Sequence, residues 1–265
     1  MLVFKSILCL ILTSAQATKP IQITLFKALF RKLFNTGDTP PQQAYNLWAS
    51  VYDEQPGNLM LTLDEELFSA FLQTTDINNR IIVDIGCGTG RHWKKILEKD
   101  PKQLIGYDIS AGMLQKLKIK FPEAITYQLS GNYLTHTPDS TADILISTLT
   151  IAHIKDAVIA LSEWDRVVKP GGDIFISDYH PDILQKGGKR TFSHNNKTVS
   201  VKNYTHSIEK IKKTAAKLNW KQVQFTEIKI DEGVKHFYEK QAAGKVYEMY
   251  KDTPVIYGIH FKKAK

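Results

Sequence analysis

The chain has 265 residues, 43% of them hydrophobic and 23% charged, enough apolar mass for one sizeable core and incompatible with a disordered chain. The formal net charge is +8, and the excess lies late in the chain, with 18 basic against 8 acidic residues from position 181 onward. These lysines are spread singly and form no basic cluster interleaved with aromatics, so the excess reads as a solvated surface and no nucleic-acid partner is expected. Cys9 and Cys87 are the only cysteines, which excludes a disulfide framework and fits a reducing, cytoplasmic setting.

Residues 1–17 combine Lys5, an apolar run at 7–12 and an Ala-x-Ala ending at Ala17. That is the pattern of a secretory signal, too short to span a bilayer. It reads equally as a helical extension, which agrees better with an enzyme-like remainder, and export stays open. Over 21–34, Leu25, Phe26, Leu29, Phe30, Leu33 and Phe34 recur at helical spacing against Lys27, Arg31 and Lys32. A basic amphipathic helix of this kind suits peripheral membrane contact or docking on the domain that follows.

The breaker NTGDTPP at 35–41 marks a boundary. We divide the chain into an N-terminal extension (1–35), a helical cap (36–79) of two helices split at QPGN, and a domain over 80–265. From 80 onward short apolar runs (RIIVDIG, QLIGYDI, AITYQL, ADILIST, GDIFISDY) alternate with helical stretches (91–99, SAGMLQKLKIKF, DAVIALSEWDRVV). This alternation predicts a parallel sheet with crossover helices. The C-terminal runs KQVQFTEIKI and TPVIYGIHFKK read as a strand pair with an antiparallel member at the sheet edge.

The stretch IIVDIGCGTGRH at 81–92 carries most of the chemistry. Gly86, Gly88 and Gly90 remove three Cβ atoms where a strand turns sharply and a ligand must approach the backbone. The spacing G-x-G-x-G differs from the G-x-G-x-x-G of a dinucleotide fingerprint, and Asp84 just before it would repel a pyrophosphate while accepting from a cationic amino group. A sulfonium nucleoside with an amino-acid end fits. Asp108, at the end of the second strand, is placed for both hydroxyls of a ribose, or for the N-cap of the helix that follows.

Together VDIGCGTGRH, YDISAGML, QLSGNY, ADILISTLTIAHI and RVVKPGGDIFISD resemble class I S-adenosylmethionine-dependent methyltransferases, in particular the small-molecule branch called type 11 or UbiE-like, over about residues 45–180. The resemblance implies an α/β, doubly wound, Rossmann-like fold: a seven-stranded, mostly parallel sheet with an antiparallel C-terminal strand and an N-terminal helical cap. It implies S-adenosyl-L-methionine as cofactor, with Asp84, Gly86, Cys87, Gly88 and Gly90 around the methionine part, Asp108 on the ribose, Ile109 and Met113 flanking the adenine, and Asn132 and Tyr133 at its edge. Asn132 stands where the family most often has Asp; its amide oxygen still accepts. The KPGG run at 169–172 reads as a structural turn.

Methyl transfer from a sulfonium chiefly needs alignment and exclusion of water. The expected acceptor is a small molecule, methylated on O or C. Three segments supply candidates for its site: the cap AYNLWASVYD, the loop after the fourth strand, and a lid-like insertion over about 180–206 containing Tyr179, His180, Arg190, His194, Tyr204 and His206 at or within its ends. Tyr52 is the candidate for the active-site wall and His153 for a general base, or for a histidine that seats the cofactor. Trp48 reads as packing. The histidine spacings match no zinc motif, so no metal is expected. A nicotinamide-dependent oxidoreductase and a non-catalytic scaffold binding cofactor or membrane are the rival readings.

Overall fold

The computed structural model describes residues 37–55 and 57–265. The signal-like segment at 1–17 and the amphipathic stretch at 21–34 lie outside the described residues. Helix α1 (Pro41–Trp48) starts with proline in its first turn, where the absent N–H is not needed. It ends at Trp48, before the QPGN breaker. Helix α2 (Leu59–Thr74) is capped by Asn58, whose side chain accepts from Leu61 N, and buries Leu63, Leu67, Phe68, Phe71 and Leu72.

The sheet strands are β1 (Ile81–Ile85), β2 (Gln103–Asp108), β3 (Ile125–Gln128), β4 (Ala142–Thr148) and β5 (Val168–Tyr179). Between them run α3 (Trp93–Leu97), α4 (Ala111–Lys120) and α5 (Ala157–Val167). After β5 come α6 (Pro181–Gln185), the hairpin β6 (Thr191–His194) and β7 (Lys197–Ser200), α7 (Ile208–Lys217), β8 (Trp220–Lys229), α8 (Lys235–Glu239), α9 (Gly244–Tyr250) and β9 (Pro254–Lys263). Sheet order is β3-β2-β1-β4-β5-β9-β8. Strands β1 to β5 are parallel, and β9 is antiparallel to both its neighbours. The antiparallel strand is therefore internal, and β8 holds the edge where the sequence placed an antiparallel one.

Burial on both faces explains the near-continuous apolar runs of the central strands. On one face Ile82, Ile144, Ile146, Phe175 and Ile256 pack with α2, α3 and α4. On the other, Val83, Ile85, Leu145, Ile174, Ile176 and Ile259 pack with α5 and α7. Helix α2 belongs to the first layer, against β5 and β9; only α1 and the turn after it overlie the strand ends. A smaller third core joins α1 to the hairpin through Ala44, Trp48, Phe192 and Val201 and reaches Met113 of α4. Trp48 stacks on Phe192 with ring centroids 4.5 Å apart, so it has the packing role read from the sequence.

Two local expectations change. Helix α3 begins at Trp93, two residues later than read, because the loop closes in a turn with Trp93 N bonded to Gly90 O at 3.1 Å. The KPGG run lies inside β5 at a register shift against β4, with Gly171 at φ +79°, and is a bulge within the strand.

Candidate functional site

A cavity of about 240 Å³ opens at the carboxyl ends of β1, β2 and β4, where open parallel sheets bind ligands. Its wall includes Asp84, Gly86, Cys87, Gly88, Asp108, Ile109, Met113 and Asn132, together with Tyr45, Tyr52, Arg91, Thr150 and His153. Ten of the twelve residues singled out from the sequence thus share one wall. Gly90 and Tyr133 do not. Gly90 has φ +76°, and a Cβ there would meet Leu117 and Phe121 of the α4 segment at 3.1 and 3.2 Å; its bareness serves loop-to-helix packing. The Tyr133 side chain is turned to solvent, 66% exposed.

The other two glycines also differ in role. A Cβ on Gly86 (φ +72°) would fall on the Thr150 side chain, so this glycine admits the β4 loop. Gly88 (φ +53°) has only the Gly86 carbonyl within reach, at 4.0 Å, and is the position where bare backbone faces open space. Its N–H donates to Asp108 Oδ2 at 2.9 Å while Ser110 N donates to Oδ1 at 2.7 Å. The helix N-cap is Ser110, whose hydroxyl accepts from Met113 N, so Asp108 is left to tie the loop to the end of β2. Burial pushes its carboxyl up to about 6, against the backbone N–H groups of Ser110 and Gly88.

Asp84 is 5% exposed and accepts from Trp93 Nε1 at 2.8 Å. Gly106 of β2 makes this contact feasible, since a Cβ there would lie 2.8 Å from Trp93 Cζ2 and from Cys87 Sγ. Burial raises the Asp84 carboxyl to about 6, with the Trp93 N–H opposing. Two buried acids facing one cavity form a site where a cation or a set of hydroxyl donors would be held strongly.

Arg91 is a wall residue the sequence reading passed over. Its Nη2 is paired with Asp64 of α2, which also accepts from His92 Nε2 at 3.0 Å and from the Ser177 hydroxyl. Burial would raise the Asp64 carboxyl, but Arg91, His92 and Ser177 outweigh it and hold it well below the usual range. Arg91 Nη1 is buried with no hydrogen-bond partner, 3.8 Å from the nearest Glu65 oxygen. A buried guanidinium nitrogen with an ion pair at that distance but no hydrogen bond is costly unless a further partner completes it.

Residues 83–176 match the family model described as a methyltransferase domain. Over these residues the chain is similar to a methyltransferase domain. It is 36% identical over 149 residues to the malonyl-[acyl-carrier protein] O-methyltransferase of Yersinia pestis, covering 55% of this chain and 52% of that protein. It is 30% identical over 185 residues to an uncharacterized methyltransferase of Emericella nidulans, covering 53% and 61%. The matches thus span roughly half to three-fifths of these relatives' own lengths. Among solved structures, an S-adenosylmethionine-dependent methyltransferase of Mesorhizobium loti superposes with a TM-score of 0.59 at 16% identity, covering 74% of this chain and 96% of that one, a likeness of fold.

Around this cavity the three segments expected to supply acceptor groups do meet. Tyr45 of α1 lies 2.9 Å from His153 Nε2, and Arg190, just before the hairpin, donates from Nη1 to the Tyr45 hydroxyl at 2.6 Å and to Leu149 O at 2.7 Å. Arg190 Nη1 also contacts His153 Nε2, and His153 Nδ1 faces Lys202 O at 3.0 Å. The Nδ1 proton therefore goes to that carbonyl and Nε2 is an acceptor already served. Burial, and then the Arg190 charge, push the imidazole well below its usual range. Both ring nitrogens of His153 are engaged and the imidazole is held neutral, which disfavours the general-base reading.

Tyr52 keeps its place on the wall. Its ring meets Trp48 edge-on at 5.1 Å, and burial raises its hydroxyl against Arg91 and Arg190. The remaining polar residues of the insertion turn elsewhere: His180 bonds Glu227 at 2.7 Å, His206 bonds Ile154 O at 2.8 Å, and His194 contacts Asn195. Asp53 of the cap accepts from Thr89 Oγ1 at 2.6 Å, fastening the cap segment to the glycine loop. Among the described residues no group of three or more His, Cys, Asp and Glu could hold a metal, and no helix is long and apolar enough to cross a membrane.

Proposed function

We propose that this chain is an S-adenosylmethionine-dependent methyltransferase acting on a small-molecule acceptor at an oxygen or carbon atom. The observation that carries the reading is the joint arrangement of Asp84, Asp108 and Arg91 around bare Gly88. The amino-acid end of the cofactor is a zwitterion: Asp84 would take its ammonium, and Arg91 Nη1, which is ion-paired with Glu65 but makes no hydrogen bond, its carboxylate. Asp108 would take ribose hydroxyls, Ile109 and Met113 the faces of the adenine, and Asn132 its edge. A pyrophosphate would meet two buried acids here, which disfavours a nicotinamide dinucleotide. When bound, S-adenosylmethionine supplies an electrophilic methyl group on a sulfonium. Tyr45, Tyr52 and Thr150 would shape the space beside that group and exclude water from it.

Titration calorimetry of S-adenosylhomocysteine into wild-type protein and into Asp108→Ala tests this reading. Micromolar binding that the substitution weakens at least tenfold supports it; no binding to folded wild type removes it. The cytoplasm is the location that agrees with the reduced Cys87 thiol, and residues 21–34 are the candidate for peripheral membrane contact, to be tested by vesicle co-sedimentation before and after their deletion.

A further inference from the structure

The wall built by α1, the β4 loop and the hairpin says which acceptor group can react there, on the premise that the methyltransferase reading holds. Every base nearby is already engaged. His153 Nε2 faces Arg190 and Tyr45. The Asp178 carboxylate, at the end of β5, accepts from Ala152 N at 2.8 Å, from Tyr179 N at 2.7 Å and from Arg190 Nη2 at 3.3 Å. Asp64 is filled by Arg91, His92 and Ser177. Among the described residues of this wall, none is left to remove a proton from an alcohol, a phenol or an ammonium.

What the wall offers instead is a hydrogen-bond donor. Arg190 is 6% exposed, and the two protons of its Nη1 go to the Tyr45 oxygen and to Leu149 O. The Tyr45 proton therefore serves His153 Nε2, and that hydroxyl is fixed as part of the wall. The Tyr52 hydroxyl has no hydrogen-bond partner among the described residues, and its ring centroid lies 6.3 Å from that of Tyr45. Arg91 and Arg190 both act on Tyr52. Each guanidinium is paired with a buried acid, Arg91 with Asp64 and Arg190 with Asp178, so what the wall supplies at this point is the free Tyr52 hydroxyl, a donor to an oxygen that needs no base.

We propose that the reacting group of the acceptor is a carboxylate, seated by the Tyr52 hydroxyl beside the wall of Tyr45, Arg190 and His153, and that the product is a methyl ester. The chemistry balances without a base. One carboxylate oxygen forms a bond to the methyl carbon as the carbon–sulfur bond breaks, the bonding pair stays on sulfur, the sulfonium becomes a neutral thioether, and no proton moves. Tyr52 touches the acceptor, and Tyr45 is held beside it by Arg190 and His153. Arg190 is a positioning residue that acts through Tyr45 and His153.

The test uses the full chain and three probes matched in length: octanoate, octanol and octylamine. Each is titrated calorimetrically into protein saturated with S-adenosylhomocysteine, and each is offered with methyl-labelled S-adenosylmethionine at stoichiometric enzyme, so that a single turnover is read. The expected result is preferential binding of octanoate and at least tenfold more label on it, released as methanol by mild alkali as an ester requires. In Tyr52→Phe, which leaves the packing around the ring intact, octanoate labelling drops at least tenfold while the affinity for S-adenosylhomocysteine stays within about twofold. Preference for octanol or octylamine, alkali-stable label, or no label on any probe while S-adenosylhomocysteine binds overturns the proposal. Absence of S-adenosylhomocysteine binding to folded protein would instead fell the methyltransferase reading.

Discussion

The Gly88 amide donates to the Asp108 carboxylate at 2.9 Å, so the glycine of the loop that faces open space in the cavity is held by the acid that closes the second strand. The loop and the end of β2 are a single unit. Replacing Asp108 by Ala leaves the N–H groups of Gly88 and Ser110 without their partner, at about 1–3 kcal/mol for each buried donor, and removes the carboxylate expected to meet the ribose. S-adenosylhomocysteine should bind at least tenfold more weakly to Asp108→Ala. Asp108→Asn, which retains one acceptor oxygen, should fall between the two, as read by calorimetry on protein whose folding is checked by circular dichroism.

The Asp84 carboxyl, raised to about 6 by burial, makes both binding and stability depend on pH. Its folded value lies above the ordinary 3.8, so between about pH 4 and pH 6 the folded state keeps a proton that the unfolded chain has released. The contribution of Asp84 to stability therefore falls as pH rises through that window, by up to about 3 kcal/mol for a shift of two units. His153, whose folded value is depressed, acts in the opposite direction, with stability lost as pH falls below its ordinary range. Comparison with Asp84→Asn separates them: the variant should gain stability relative to wild type at pH 7.5 and lose that advantage at pH 5 in urea denaturation. Ligand affinity should move the other way, falling about tenfold for wild type from pH 7 to pH 5 as the acid that meets the ammonium is neutralised.

How far the sequence disclosed this site depends on where each residue's partners lie. Asp84 and Asp108 were legible because an apolar run ending in an acid places that acid at a strand's carboxyl end, and the sheet order brings adjacent strand ends together. Gly90 was read as facing a ligand because a glycine required by φ +76° and by Leu117 and Phe121 looks the same in sequence as one required by a bound molecule. Arg91 was missed because its meaning depends on Asp64, 27 residues earlier, which takes one nitrogen and leaves the other without a hydrogen bond. His153 looked like a base until Arg190, 37 residues later, was found on its Nε2. Local patterning specifies strands and turns; it does not specify which distant side chain occupies a lone pair.

Arg91 yields a prediction that separates the two ends of the ligand. If its Nη1, which makes no hydrogen bond, meets the carboxylate of the cofactor, Arg91→Gln should weaken S-adenosylhomocysteine binding about 10- to 100-fold, the range of a lost charge-assisted contact. Methylthioadenosine, which has the nucleoside but no amino-acid end, should bind wild type and variant within about twofold. Equal losses for both ligands would show that Arg91 acts only by holding the loop to α2 through Asp64.

Gly90 and Gly86 should respond differently to the same small change. Gly90→Ala places a Cβ at 3.1 Å from Leu117 Cγ with φ +76°, and left-handed backbone at a non-glycine residue costs about 1–2 kcal/mol. Its expected effect is a lower urea midpoint with S-adenosylhomocysteine affinity near wild type at temperatures where the variant is folded. Gly86→Ala carries a similar backbone cost at φ +72° and also drives its Cβ into Thr150 on the cavity wall. It should lose both stability and at least tenfold in affinity, because Thr150 cannot keep its place without moving the β4 loop. Equal affinity losses in the two variants would mean that Gly90 serves the ligand after all, through a loop that does not tolerate displacement at either end.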